Sequence, residues 1–97
     1  MRYPIEKISS AEAKGLLAGQ AVLIDVRSRQ EYEAGHLPHS ISFPLETIPS
    51  MYQEILPNYQ IPLIVYCSSG SRSHIAAMFL HDFGYERVYD LGKMSNW

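Results

Sequence analysis

The sequence predicts an α/β fold of about five mostly parallel strands with helices on both faces. Three observations carry that expectation. Short apolar runs alternate along the chain with segments that open on helix-capping residues. The run Leu63-Ile64-Val65-Tyr66 is uninterrupted, β-branched and aromatic, as a strand buried on both faces should be. Beyond it the period changes, and Ile75, Ala76, Phe79, Leu80 and Phe83 fall on one face of a helix. Strands and helices in this alternation imply right-handed crossovers throughout.

Ile5 to Ile8 is expected as a short first strand. Ser9-Ser10-Ala11-Glu12 has the spacing of a capping box; the helix it opens should turn Leu16 and Leu17 inward and stop at Gly19. Ala21-Val22-Leu23-Ile24 reads as a buried strand ending at Asp25. Ser28 and Glu31 repeat the capping-box spacing for a short helix that Gly35 ends. Ile41-Ser42-Phe43 is a brief strand closed by Pro44. Ser50 and Gln53 suggest a further cap, for a helix carrying Met51, Ile55 and Leu56 that Pro57 terminates. After the central strand and its helix, Arg87-Val88-Tyr89-Asp90-Leu91 should be the last strand.

Residues 1–97 are read as a single domain, long enough for one core without staples. Hydrophobic residues at 46% and charged residues at 19% are those of an ordinary globule. A net charge of −2 with no basic run gives no reason to expect nucleic acid. The single cysteine cannot form an internal disulfide, which fits a reducing compartment. No apolar run approaches about 18 residues, so no membrane span is expected. The segment from Met1 to Glu6 lacks a signal-peptide apolar region, and the cytoplasm is the expected location. There are no internal repeats or low-complexity segments.

The chemistry concentrates where the central strand stops. Cys67 is followed by Ser68, Ser69, Gly70, Ser71, Arg72 and Ser73, a small polar loop that runs into a helix. In an open parallel sheet, ligands bind beyond the carboxyl ends of the strands. The first N–H groups of the following helix have no intrahelical partner and, with the macrodipole, attract anions. A thiolate at Cys67 would be such an anion, and cysteines so placed fall from a pKa of about 8.5 toward roughly 3.5–7.5. Gly70 lets the backbone curl into a nest of amides, and Arg72 adds a permanent positive charge. Cys67 is therefore a candidate nucleophile in an amide cradle, with Ser68 to Ser73 as its binding loop and Ser71 or Ser73 as the helix cap. The plain alternative is a small buried hydrophobe.

Asp25 ends a second central strand and could border the same rim. It is either a general base or an acid bonded to local backbone or to Arg27 or Arg72. His74 follows the loop and could tune access; His81 reads as helix surface. His36 and His39 are three apart, but Pro38 lies between them and no further ligands complete a set, so no metal and no cofactor is expected.

The segment Cys67 to Ser73, followed by Ala76-Ala77, Leu80, Gly84-Tyr85 and Val88, resembles the active-site region of single-domain rhodaneses. Upstream, Ile24-Asp25-Val26-Arg27, Glu31-Tyr32 and Gly35-His36-Leu37 resemble the family's other hallmark. Downstream, Leu91-Gly92 and Trp97 match its closing motif. The resemblance spans essentially the whole chain. It implies a rhodanese-like fold and a sulfurtransferase whose cysteine carries a sulfane sulfur as a persulfide. The implied partners are a small anionic donor such as thiosulfate and an acceptor: cyanide, a low-molecular-weight thiol or a protein cysteine. It also gives Asp25-Val26-Arg27 a structural role.

Two rival readings remain. Cysteine phosphatases and arsenate reductases also place a thiolate and an arginine around a strand-to-helix loop. Here four residues separate Cys67 from Arg72, against five in the related phosphatases. A tighter ring of amides suits one sulfur better than a tetrahedral oxyanion. The other rival is a relay or regulatory module of the same fold, although inactive members typically lack the cysteine. The sequence departs from the family at three places. His39 stands where a glycine is usual, Ser42 where an asparagine is common, and Lys93 where the closing motif normally has a second glycine. Lys93 either constrains that turn or supplies positive charge at the active-site mouth.

Overall fold

Chain pairing follows the apolar runs. In the computed structural model, which describes residues 4–97, β1 (Glu6–Lys7), β2 (Val22–Asp25), β3 (Ile41–Ser42), β4 (Leu63–Cys67) and β5 (Val88–Lys93) form one sheet. Its order is β1-β5-β4-β2-β3, and every neighbouring pair is parallel. Residues 1–3, part of the segment read above for a leader, lie outside the described residues. No helix among the described residues is long and apolar enough to cross a membrane.

The sheet is covered on both faces, so its strands carry apolar residues at successive positions rather than alternating ones. All five residues of β4 are buried. Ile24, Val26, Val65 and Cys67 face one core, closed by Ile48 and Leu56 from around α3 (Ile48–Ile55) and by Ala76, Ala77 and Leu80 from α4 (Ser71–Asp82). Leu23, Ile64, Tyr66 and Leu91 face the other, closed by Ala13 of α1 (Ser10–Leu17), with Leu16, Leu17 and Trp97 at its margin. Cys67 and Tyr66, adjacent in sequence, thus point to opposite sides of the sheet, as a strand's two-residue period requires.

Both capping boxes form. Ser9 and Glu12 exchange bonds at the start of α1, and Ser28 and Glu31 do so at the start of α2 (Arg29–Ala34), which closes on Gly35. Three local expectations fail, each for a physical reason. Ser50 and Gln53 do not cap α3: it begins at Ile48, with Pro49 in its first turn, where the missing N–H costs nothing. Ser50 lies inside and donates to the Thr47 carbonyl. Gly19 is not a left-handed stop; α1 ends at Leu17 with Ala18 as a right-handed C-cap, and the Gly19 amide donates to the Leu16 carbonyl. On α4, Ile75 is 43% exposed rather than inward, and Ala77 takes the core position instead. Two small residues there let the helix lie close to β4, so the buried stripe is carried by Ser73, Ala76, Ala77 and Leu80.

Tyr85 completes the core from the far end of α4. Its hydroxyl donates to the carbonyls of Leu56 and Tyr52, satisfying the open end of α3, and burial pushes its pKa up to about 12. His39 adopts a left-handed φ of 66°. Ser42 has a buried Oγ with no hydrogen-bond partner among the described residues.

β5 contains an irregularity that matters for the site. Val65 pairs with Asp90, but Tyr66 pairs with Gly92 and Cys67 with Lys93, so Leu91 is an extra residue in the ladder. One inserted residue reverses the facing of everything beyond it.

Candidate active site

β4 delivers Cys67 to the carboxyl rim of the sheet, and the next residues must reverse direction to start α4. Gly70 makes that reversal in the left-handed region, at φ 96° and ψ −13°, and serves as the N-cap of α4. Neither Ser71 nor Ser73 is the cap. Ser71 is the first helical residue and shares a hydrogen bond with Ser69 Oγ at 3.1 Å, while Ser73 Oγ donates to the Gly70 carbonyl at 3.1 Å. A serine cap needs extended backbone geometry, which a left-handed turn at this point excludes.

The curled loop aims two amides at the sulfur. Gly70 N–H donates to Cys67 Sγ at 3.0 Å and Ser73 N–H at 3.3 Å. The cradle is narrower than the whole loop: among the described residues, these are the backbone donors that reach Sγ. Cys67 is fully enclosed, at 0% exposure, while Ser68 and Ser69 are exposed. A donor therefore reaches the sulfur only when its cover shifts.

Arg72 does not point at the sulfur. Its Nη1 and Nη2 donate to Glu31 Oε1 and Oε2 at 2.7 and 3.0 Å, and Nη2 also donates to Ser68 Oγ at 2.9 Å. This bidentate fork ties the loop to the start of α2. The Arg72 guanidinium, together with the Ser28 amide, holds the Glu31 carboxyl down at about 2. Arg72 is itself raised, first by its bond to Glu31. Glu31 was recognisable as a capping residue, but its second role as the anchor of Arg72 depends on a contact across 41 positions of sequence. No local pattern encodes such a contact.

Asp25 and Arg27 bond one another on the opposite face of the sheet from Cys67. Asp25 accepts from Arg27 N at 2.9 Å, from Arg27 Nε and Nη2, and from the Tyr66 hydroxyl at 2.8 Å. Arg27 Nη2 reaches on to the Gly35 carbonyl at 2.6 Å. Tyr66 also accepts from the Leu37 amide and shares a hydrogen bond with Ser40 Oγ. Asp25 is at 0% exposure with its acceptor sites occupied, so it fits the structural alternative and not a base serving Cys67. Tyr66, read from the sequence only as a strand residue, and Ser40, read for no role, join this network from β4 and from the turn after α2.

His74 is exposed on the first turn of α4. Lys93 is exposed on β5, directly paired with Cys67. An ideal Cβ on Gly70 would stand 4.0 Å from the Lys93 side chain, so the loop passes right over it. No group of three or more His, Cys, Asp or Glu among the described residues could hold a metal ion.

Comparison with known proteins places this arrangement. The sequence matches the rhodanese-like domain model over residues 9–97. It is 33% identical to thiosulfate sulfurtransferase GlpE of Pseudomonas syringae pv. syringae, covering 89% of this chain and 79% of that protein. It is 30% identical to a probable molybdopterin-synthase adenylyltransferase of Porphyra purpurea, covering 98% of this chain and 26% of the relative. The chain thus spans about a quarter of the length of that relative and of others like it. Among solved structures, the human single-domain sulfurtransferase TSTD1 superposes with a TM-score of 0.77 at 27% identity, over 94% of this chain and 90% of that one. The match to that family model over residues 9–97, with a fold that superposes on a single-domain sulfurtransferase, makes the chain a member of the rhodanese-like family.

Proposed function

We propose that residues 1–97 act as one sulfurtransferase unit, moving a sulfane sulfur from a donor such as thiosulfate to a thiophilic acceptor through a persulfide on Cys67. The observation that carries this reading is the convergence of the Gly70 and Ser73 amides on Cys67 Sγ.

In the first half-reaction the Cys67 thiolate attacks the outer sulfur of thiosulfate. A new S–S bond forms, the bond to the sulfonate end breaks, and its electron pair leaves with sulfite. Negative charge then resides on the terminal persulfide sulfur. In the second half-reaction an acceptor nucleophile bonds that sulfur, and the Cys67 thiolate departs with the electron pair of the broken S–S bond. Cyanide serves as acceptor in an assay; a small thiol or a partner protein's cysteine is the cellular counterpart. Hydrogen bonds to a charged sulfur are worth roughly 1.5–3 kcal/mol each, so two amides can hold the anion without a nearby cation. A lone thiol that must stay reduced suits the cytoplasm.

The test is turnover with thiosulfate and cyanide. Wild-type protein should form thiocyanate, and Cys67→Ser should form none while keeping its circular dichroism spectrum. Transfer by the serine variant, or appreciable hydrolysis of a phosphotyrosine analogue by wild type, would refute the assignment.

A further inference from the structure

The active-site loop has one arginine, and Glu31 neutralises it. Any cation that meets an anionic donor must therefore come from another element. The extra residue Leu91 in β5 supplies one. Without it, Gly92 would pair with Cys67; with it, Lys93 does, and paired residues project to the same face. Bulges are used in this way to re-aim a side chain beside a site. Lys93 has extended backbone geometry, with φ −76° and ψ 138°, so no turn there demands glycine. It makes no ion pair among the described residues.

A pocket of about 310 Å³ opens at this point, lined by Ser69, Gly70 and Lys93 together with Lys7, Asp90 and Asn96. Lys7 and Asp90 are direct neighbours across β1 and β5, so their opposite charges largely cancel within the pocket. Asp90 is otherwise engaged by the Gly92 amide at 2.9 Å. The net positive charge that remains belongs to Lys93.

The geometry points to Lys93 as a substrate-positioning residue: it receives the oxyanion end of the sulfur donor in the pocket beside Gly70, so that the donor's outer sulfur is presented to Cys67. The donor class is then a small thiosulfonate-type anion, of which thiosulfate is the simplest. This rests on the sulfurtransferase reading of Cys67, but the anion site can be measured without turnover.

In a Cys67→Ser background, thiosulfate is titrated by calorimetry into protein with Lys93 intact, Lys93→Met or Lys93→Glu. Lys14→Gln, a charge change under Trp97 on the other face of the sheet, is the control. Binding should weaken about tenfold in Lys93→Met and further in Lys93→Glu, and change less than about twofold in Lys14→Gln. In the Cys67-intact chain, Lys93→Met should raise the KM for thiosulfate by a similar factor with kcat nearly unchanged. Reaction of Cys67 with an uncharged dialkyl trisulfide, in which the thiolate bonds an outer sulfur and an alkyl persulfide anion leaves, should be unaffected. Thiosulfate binding that is absent with Lys93 intact, or equal in Lys93→Glu, overturns the inference. Lys93-dependent binding in a wild-type protein that never acquires sulfur would leave the anion site standing and remove the sulfurtransferase reading instead.

Discussion

On one face of the sheet's carboxyl rim, Asp25 is surrounded: two nitrogens of the Arg27 side chain, the Arg27 amide and the Tyr66 hydroxyl all donate to its two oxygens. On the other face, one strand away, Cys67 Sγ receives two backbone amides, and the loop's arginine is turned aside to Glu31. Both groups are fully enclosed. The difference lies in what is left over. Asp25 has a full cationic partner and no remaining capacity, so it fixes structure. A thiolate at Cys67 would have donors but no paired cation in contact, so its charge remains available for a bond to an incoming sulfur.

Substitutions should separate the two assemblies. The largest effect on activity is expected from Cys67→Ser, which removes all sulfur transfer yet keeps an acceptor for the two amides; urea denaturation should show a stability change within about 1–2 kcal/mol. The largest effect on stability belongs to the opposite face. Asp25→Ala leaves the Arg27 charge and the Tyr66 hydroxyl buried without their acceptor, and should cost about 3–5 kcal/mol in the same measurement. Gly70→Ala is expected to cost about 1–2 kcal/mol, because a side chain must enter the left-handed region; the space itself is open, with the nearest atoms 4.0 Å away. Since Gly70 also supplies an amide to Sγ, its transfer rate should fall along with stability.

A smaller effect tests the anchor between the two faces. Glu31 is lowered from 4.5 to about 2 in the folded chain by Arg72 and Ser28. A depressed carboxyl contributes stability above its unfolded pKa and loses it as pH falls through the folded value. The wild-type advantage over Glu31→Gln should therefore be full at neutral pH and fade between about pH 4.5 and 2, as read by denaturation at a series of pH values. An unchanged difference across that window would mean that the Arg72 fork does not hold the loop in solution.

Much of this was legible before any coordinates. Strand positions followed from β-branched runs, and both capping boxes followed from a serine three residues ahead of a glutamate, because these are local signals. The position of Cys67 at the strand end was equally local. Facing and long-range pairing were not. The exposure of Ile75 depends on how closely Ala76 and Ala77 bring α4 to the sheet, and the first turn of α4 depends on a left-handed Gly70 rather than on any of its serines. The tie from Arg72 to Glu31 and the extra residue in β5 arise from which elements become neighbours, information that a one-dimensional pattern does not hold.

The central claim is that a main-chain cradle holds a charged sulfur on Cys67, and intact-mass measurement after incubation with thiosulfate tests it most directly. Wild-type protein should gain one sulfur atom, a gain reversed by cyanide and absent in Cys67→Ser. No gain from thiosulfate, or the same gain in the serine variant, would contradict it.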